Sequence, residues 1–397
     1  MFQSNAAVIQ WANAAMDDTD GTIEGFPIAA FDWNTFTYYA SYVSYHNVGG
    51  TTTDRVYVRS ATGAAKYSWD VPLSENVIGA PRFDTVTVSM VTTHYVFVAT
   101  TAGHVYRLID NGSTSLTTDW TYSCGCTIST PLTLDATNLY FGGMVSTTAK
   151  YWNLVQSSGL VANGSYPFSL GTVTLSSAAP AIAMISSVNY LFGGLSGHFY
   201  KFNMSTAGLT TDNASPSGTV NGRLSIFTGK VYGQDNAGKL WVLDATNFSN
   251  TALWTYQYTG HSGGCAAASV CGVTSGPYVD PSTARAYWGD SDGHLYGAYN
   301  STGTTGALAW ASPYSTGNTS DVFSSAPLYK GGYLIAGSTI GNLYILNTTG
   351  PSLVQTYKFG TSTNISGVAY DNGTNSYLVS TSNATNKDGR LFYIPAY

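Results

Sequence analysis

The chain of 397 residues is 44% hydrophobic, 14% aromatic and only 9% charged, with a formal net charge of −6. This composition can bury a core, which excludes an intrinsically disordered chain, and the lack of a basic stripe excludes a nucleic-acid-binding surface. No run of about 18 apolar residues occurs, so we predict no membrane span. Abundant Gly, Tyr and Thr with few Glu and Lys favour short strands over helices.

The N-terminal residues 1–5 lack the basic and apolar segments of a signal peptide. If the protein is secreted, we expect that its signal has been removed from this sequence. The segment Val8–Trp11 has the pattern of a strand with no neighbouring strands of its own. It is therefore a candidate for pairing with an element far away in the chain.

An acidic cluster follows this strand, at Asp17, Asp18, Asp20 and Glu24. Its Asp-Thr-Asp-Gly core is typical of calcium loops, although the full twelve-residue pattern is absent. We interpret the four residues as a candidate calcium site, with a solvated turn as the alternative.

The next segment is rich in tyrosine. Tyrosine offers a large amphipathic contact area at low entropic cost and is enriched at interfaces. We predict that these tyrosines form an interface, and packing between sheets is the alternative. They are Tyr38, Tyr39, Tyr42, Tyr45 and Tyr57.

One four-residue phrase recurs through the rest of the chain: Gly, any residue, an apolar residue and an aromatic. Copies begin at Gly103, Gly197, Gly238, Gly293, Gly341 and Gly389, and Asp54–Tyr57 is a looser copy. A spacing of about 45 residues with strand-like alternation indicates the blades of a β-propeller.

Two further features recur in step with this phrase. A triplet of small residues, often ending in Pro, precedes each copy, and we assign it to the innermost strand, where only small side chains fit. The triplets lie at 28–30, 79–81, 129–131, 178–180, 221–223, 275–277, 325–327 and 366–368. An aromatic residue closes many repeats, at Trp69, Trp120, Trp254, Trp310 and Tyr357.

The eight triplets predict an all-β fold, a single eight-bladed β-propeller of four-stranded antiparallel blades over residues 1–397. The N-terminal strand, within 1–15, pairs with the last blade and closes the ring, which removes two exposed strand edges. The predicted blades span 22–72, 77–122, 127–170, 174–215, 218–258, 272–312, 322–359 and 364–397.

The Gly-x-apolar-aromatic phrase, followed by Asp or Asn and then Trp, resembles the PQQ-like propeller repeat over nearly the whole chain. That repeat is found in quinoprotein dehydrogenases and in non-enzymatic scaffolds such as the outer-membrane-assembly lipoprotein. The resemblance implies that an enzyme of this family would hold a quinone over the propeller axis, with acidic and Asn calcium ligands and a catalytic Asp. Here Arg223 is the only charged residue among the triplets, so we expect the non-enzymatic branch, with no catalytic residue and no quinone cofactor.

The four cysteines are Cys124, Cys126, Cys265 and Cys271, in two close pairs. Local disulfides are one interpretation, although four cysteines permit three pairings and the Cys-Gly-Cys ring is tight. A zinc site is the alternative, and the spacing of the first pair does not favour it.

Eleven Asn-x-Ser/Thr sequons predict N-glycans on exposed turns. None precedes Asn111, which predicts a sugar-free N-terminal sector that docks a partner or another copy. The sequons are Asn111, Asn163, Asn203, Asn213, Asn247, Asn300, Asn318, Asn347, Asn364, Asn372 and Asn383.

These observations favour a non-enzymatic extracellular or cell-surface glycoprotein with a structural or adhesive role. In its most specific form, the hypothesis is a self-assembling subunit of a filament or layer, because glycans can replace charge in keeping such a surface soluble. We expect no cofactor apart from the candidate calcium ion, and the partner is a second copy or another surface protein. The alternatives are a PQQ-dependent dehydrogenase and a carbohydrate-binding propeller that uses exposed Trp and Tyr.

Overall fold

The structure is a computed structural model. It describes residues 11–12, 23–32, 37–48, 51–60, 65–79, 81–110, 115–175, 180–195, 198–206, 208–213, 220–235, 238–249, 251–258, 276–291, 293–302, 304–318, 320–323, 325–360, 364–371, 375–382 and 390–396. Every regular element among these residues is a β-strand. In this part of the chain there is accordingly no helix long and apolar enough to cross a bilayer.

The strands form successive antiparallel arrays, and most of them follow chain order. After β1 (Trp11–Ala12), array 1 contains β2 (Ile23–Asp32), β3 (Thr37–Val48), β4 (Thr51–Ser60) and β5 (Ala65–Asp70). Array 2 contains β6 (Arg82–Val88), β7 (Val91–Ala99), β8 (His104–Asp110) and β9 (Leu116–Ser123). Array 3 contains β10 (Thr127–Ile128), β11 (Thr133–Leu134), β12 (Asn138–Val145), β13 (Thr148–Val155) and β14 (Phe168–Gly171), with β10 and β11 both pairing with β12.

The remaining arrays repeat this plan. Array 4 contains β15 (Ala181–Ile185), β16 (Val188–Leu195), β17 (His198–Asn203) and β18 (Gly208–Asn213), and array 5 contains β19 (Val220–Phe227), β20 (Lys230–Asp235), β21 (Leu240–Asp244) and β22 (Trp254–Tyr256). Array 6 contains β23 (Tyr278–Val279), β24 (Ala286–Gly289), β25 (His294–Thr302), β26 (Thr305–Leu308) and β27 (Tyr314–Ser315). Array 7 contains β28 (Leu328–Lys330), β29 (Tyr333–Gly337), β30 (Asn342–Asn347) and β31 (Ser352–Lys358), and array 8 contains β32 (Asn364–Asp371), β33 (Ser376–Ser382) and β34 (Arg390–Pro395).

Two pairings go beyond the simple meander. Arrays 5 and 6 belong to one nine-stranded sheet, because β22 and β26 form a parallel bridge at Thr255 and Thr305. In array 8, β1 pairs antiparallel with β34, with Trp11 opposite Tyr393. The predicted N-terminal strand therefore reaches the last array at Trp11, whereas its residues 8–10 lie outside the described part of the chain.

The residue after the glycine of the phrase begins or directly precedes the third strand of arrays 2, 4, 5, 6, 7 and 8. The triplets are less regular, because those at 79–81 and 325–327 precede the edge strands β6 and β28, whereas those at 28–30, 221–223 and 366–368 lie within the edge strands β2, β19 and β32. Closing aromatics such as Trp120 and Trp254 lie on the fourth strand. Since each meander hairpin pairs chain neighbours, local turn chemistry is enough to set this order.

The chain divides into two compact units. The first comprises residues 1–123, 337–344 and 355–397, and the second comprises residues 124–336 and 345–354, so that array 7 contributes to both. A buried cluster of the first unit joins arrays 1 and 2 through Val56, Val96 and Leu108. Such burial of β-branched and aliphatic side chains between sheets is the main stabilising term in all-β proteins.

Among the described residues of the second unit, buried clusters likewise join neighbouring arrays. Within array 4, Gly193 lies opposite Tyr200 on the next strand, and a Cβ atom at Gly193 would overlap the Tyr200 hydroxyl. That hydroxyl donates a hydrogen bond to the hydroxyl of Tyr151 inside the cluster. The glycine is therefore required by the close approach of a large, buried ring.

Buried tyrosines make stability depend on pH in the alkaline range. Burial raises the pKa of Tyr232 and of Tyr256 to about 12, against an ordinary value of about 10. A group whose folded pKa is raised stabilises the fold fully below the unfolded pKa, and this contribution is lost as pH rises through the folded pKa. We therefore expect the melting temperature, followed by circular dichroism, to fall between about pH 10 and 12.

Tyr256→Phe provides the control for this prediction, since it removes one of the titrating groups but keeps the ring against Trp288. Its melting temperature should fall less steeply with pH than that of the wild type over the same range. Parallel curves for the two proteins would show that Tyr256 does not titrate as a buried group.

Candidate functional site

The most regular polar feature of the structure is the turn that leads into the third strand of an array. Its glycine has a positive φ, 90° at Gly103, 75° at Gly238, 74° at Gly293 and 77° at Gly341. In array 5 the Gly238 N–H donates to the Asp235 carbonyl at 3.0 Å, and the Asp235 N–H donates to the Lys239 carbonyl at 3.2 Å. This is a three-residue hairpin loop that requires a left-handed residue, which explains the invariant Gly of the phrase.

A buried carboxylate caps this turn in arrays 5 and 6. Asp235 accepts hydrogen bonds from the Lys239 N–H at 3.0 Å and from Trp241 Nε1 at 2.8 Å. Asp290 accepts from the His294 N–H at 2.8 Å and from the Tyr296 hydroxyl at 2.5 Å. The aromatic of the phrase thus supplies a polar tip that satisfies an otherwise costly buried charge.

In array 2, the buried carboxylate beside the turn comes from a residue outside the Gly phrase. Thr100 stands at the Asp position and donates its hydroxyl to Glu75 at 2.7 Å. Glu75 also contacts His104 Nδ1 at 2.8 Å and accepts the Tyr106 hydroxyl at 3.0 Å. Burial and this hydrogen bond raise the pKa of Tyr106. Because these contacts occupy the carboxylate oxygens, the cluster fits a structural cap better than an acid–base catalyst.

Three copies of the Gly phrase carry a histidine directly after the glycine. These residues, His104, His198 and His294, each begin the third strand of a different array. Among the residues that the structure describes, no group of three or more His, Cys, Asp or Glu is placed to hold a metal ion. Of the candidate calcium residues, Asp17, Asp18 and Asp20 lie outside these residues, and only the backbone of Glu24, in β2, is described.

Of the eight sequon asparagines that the structure describes, five lie in strands, four of them at a strand end, and three lie outside strands. Asn163, Asn247, Asn300 and Asn318 are exposed, whereas Asn203, Asn347 and Asn364 are partly exposed. The backbone of Asn213 is described at the end of β18 without its side chain, and Asn111, Asn372 and Asn383 lie outside the described ranges.

Four of these asparagines share one local geometry. Asn163 Oδ1 accepts the Ser165 N–H at 2.9 Å, and Asn347 Oδ1 accepts the Thr349 N–H at 2.9 Å. Equivalent bonds occur at Asn203 and Asn318. This Asx-turn uses only the carbonyl oxygen of the amide and leaves the nitrogen, to which a glycan is attached, outside the turn. Asp244 forms the same turn with Thr246, so turn chemistry alone also accounts for Asn or Asp here.

The structure describes one of the two close cysteine pairs. The Sγ atoms of Cys124 and Cys126 lie at bonding distance, with Cα atoms 5.2 Å apart, in the link between β9 and β10. Gly125 between them has a φ of 61°, which is available to glycine without strain. Cys265 and Cys271 lie outside the described residues.

The tyrosine-rich hairpin is present as strands β3 and β4. Tyr38, Tyr39, Tyr42 and Tyr45 lie on β3, where the backbone but not the side chains are described. Tyr57 lies opposite Tyr42 on β4 and is buried. Its position fits packing between sheets rather than direct contact with a partner.

One surface feature was not predicted from the sequence. The hairpin of β6 and β7 exposes a cluster of apolar side chains around its turn, Val86, Val88, Met90 and Val91. In the sequence, this hairpin corresponds to an uncharged stretch rich in β-branched residues, from Thr85 to Thr93. A buried strand has the same composition, so the sequence alone does not separate the two.

Comparison with solved structures identifies the fold. BamB from Moraxella catarrhalis superposes with a TM-score of 0.60 at 12% identity, covering 88% of this chain and 93% of that one. Sqt1 from Saccharomyces cerevisiae gives 0.66 at 12% identity, covering 96% and 97%. Sqt1 from Chaetomium thermophilum, solved bound to the N-terminus of ribosomal protein L10, gives 0.67 at 11% identity, covering 96% and 98%. No family model and no curated protein matches the sequence.

The fold is a β-propeller. BamB is a PQQ-like propeller and Sqt1 a WD40 propeller, and identities this low show the fold and not a function.

The capped turn generates a prediction about stability. Asp235→Ala leaves the Lys239 N–H and Trp241 Nε1 buried without an acceptor, so it should destabilise the chain by about 2–4 kcal/mol in urea unfolding. Asp235→Ser should cost less, because Ser338 caps the turn of array 7 through its Oγ, which accepts the Asn342 N–H at 3.2 Å.

Asp244→Ala is the control, since it makes the same substitution at an exposed turn where water replaces the carboxylate. It should cost well under half as much as Asp235→Ala. Equal losses in the two variants would contradict a special role for the buried cap.

Proposed function

We propose that the eight arrays are the eight blades of one PQQ-like propeller, closed by the pairing of β1 with β34. Arrays 5 and 6 support this count, because each is a complete antiparallel array apart from the single bridge that joins them. The β1–β34 pairing supports the closure, because it gives the last array the fourth strand that its own sequence lacks. A closed ring leaves no lateral strand edge open to unwanted pairing.

On this scaffold we propose a non-enzymatic, extracellular glycoprotein with a structural role, a subunit that assembles with its own copies into a surface filament or layer. The observation that carries the proposal is the placement of the sequons. The seven whose side chains are described occupy exposed or partly exposed positions. Four of them have the amide oxygen fixed in an Asx-turn while the nitrogen stays outside it.

The chemistry of the buried polar groups supports the non-enzymatic part of the proposal. Asp235, Asp290 and Glu75 are each committed to several hydrogen bonds within their own array. A catalytic carboxylate needs lone pairs or a proton available to a substrate. These carboxylates instead hold the turns on which the repeat depends.

Two further observations support an extracellular setting. The bonding distance between Cys124 and Cys126 fits an oxidising compartment, where disulfides persist. With only 9% charged residues, the surface lacks the usual electrostatic source of solubility, and a coat of glycans supplies hydration in its place. The sequon-free stretch before Asn111 then remains open for contact between copies.

Glycosylation can be tested at a single site with little disturbance of the fold. Ser165 is exposed and contributes its backbone N–H to the Asn163 turn. Ser165→Ala therefore keeps the turn but removes the sequon, and Ser165→Thr keeps both. In protein made by a glycosylating host, the intact mass of Ser165→Ala should drop by one glycan, whereas Ser165→Thr should retain it.

Wild-type protein whose mass is unchanged by deglycosylation would refute the glycoprotein proposal. Assembly is tested separately, by electron microscopy of native material. Regular fibres or sheets are the expected result, and dispersed single particles at high concentration would refute the structural role.

A further inference from the structure

The β6–β7 hairpin ends in an exposed apolar cluster, which we call the apolar tip. Its members are exposed by 39% at Val86, 65% at Val88, 97% at Met90 and 66% at Val91. Single exposed apolar residues are normal on protein surfaces, whereas a contiguous apolar patch is often functional.

The strand register gathers these side chains on one face. Val88 lies opposite Val91, and Val86 is two residues before Val88 on the same strand. Side chains two residues apart in a strand, and side chains directly opposite each other, project from the same face of a hairpin. Met90 extends this face at the turn itself.

The residues of the turn indicate that the apolar side chain of Met90 is retained despite backbone strain. Ser89 and Met90 have φ values of 51° and 64°, the two-residue turn that favours Asn-Gly. The corresponding turns use Ser186-Ser187 in array 4, Thr228-Gly229 in array 5 and Gly331-Gly332 in array 7, so that none of these carries a large apolar side chain. A bulky residue at positive φ is strained, and such strain concentrates where function requires it.

We propose that the apolar tip is a docking element that inserts against a second copy of this chain. This inference rests on the proposed assembly and names the surface that mediates it. Charge matching favours a second copy. No residue from Thr85 to Thr93 is charged, so the tip offers no ion pair to a charged partner, and this chain is itself 9% charged.

The chain also offers an uncharged edge strand as an acceptor for the tip. On β31, Leu353 and Val354 are both exposed, one on each face of the strand, and no charge occurs from Ser352 to Tyr357. A tip that meets a different surface on the next copy makes a heterologous contact, which propagates into an open assembly instead of closing as a dimer.

The size of the tip sets the expected strength of the contact. Four side chains provide a few hundred Å² of apolar area, below the roughly 800 Å² per partner of a stable pairwise interface. A single contact is therefore weak and concentration-dependent, and it becomes effective when each copy makes it repeatedly within an array.

The test compares three variants in sedimentation velocity over a concentration series, and in electron microscopy. Met90→Lys places a charge at the apex and should weaken association roughly tenfold or more. Met90→Gly relieves the strained turn, so it should raise the melting temperature and yet weaken association. Leu160→Lys, at a side chain outside the tip that is 68% exposed, is the control and should associate like the wild type.

The outcomes separate the two proposals. If the wild type neither associates nor forms fibres or sheets, the proposed assembly and the apolar tip are both refuted. If the wild type assembles and either Met90→Lys or Met90→Gly assembles equally well, only the docking role of the tip is refuted.

A photo-cross-linker in place of Met90 identifies what the tip contacts. In native assemblies the expected adduct joins two copies of this chain, with peptides from Ser352–Lys358 among the products. Adducts formed solely with a different molecule would overturn the assignment of a second copy as the occupant.

Discussion

The hydrogen-bonded turn into the third strand is the constraint on which the rest of the structure depends. A left-handed glycine closes the loop, and a buried acceptor beside it binds a backbone N–H and, in arrays 5 and 6, the polar atom of the phrase's aromatic. This arrangement fixes the register of the second and third strands together with the direction of a large ring. Because the ring then packs between arrays, one local motif determines both the hairpin and the contact with the next sheet.

Packing between the arrays depends on size matching at glycine. Trp254 of array 5 fits only because Gly306 of array 6 lacks a side chain, since a Cβ atom there would lie 2.6 Å from its ring, and Phe199 of array 4 approaches Gly233 of array 5 in the same way. Polar tips inside these contacts are satisfied by one another, as in the hydroxyl pair of Tyr151 and Tyr200. The small residues of the repeat thus matter as much as the aromatic ones, since interiors tolerate neither voids nor overlap.

The fold could be predicted from the repeat, because its period and its Gly phrase are local sequence signals that recur along the chain. The all-β propeller follows from them, as does the place of Trp11 beside the last array. The capping role of Glu75 did not follow, since its partner Thr100 is 25 residues away and only the fold brings them together. The apolar tip was also missed, because the composition of an exposed hairpin such as Val86–Val91 does not differ from that of a buried strand. Asn347 also shows that the asparagine of a sequon can stabilise a turn, because its side-chain oxygen accepts the Thr349 N–H. A search for sequence motifs does not reveal this role.

These elements divide the polar and apolar groups in an unusual way. Most proteins place charge on the surface and apolar residues inside, whereas this chain commits carboxylates such as Asp235 and Asp290 to buried turns and leaves few charges for its exterior. An exterior with few charges repels another copy only weakly, so the proposed glycans would supply solubility where they are attached, and the proposed contacts would form where glycans are absent. The sequon-free N-terminal stretch contains the apolar tip, so that an absence of sequons and an exposed apolar cluster occur in one region of the sequence. A surface with few charges, exposed sequon asparagines and an exposed apolar hairpin are therefore consistent with the proposed assembly.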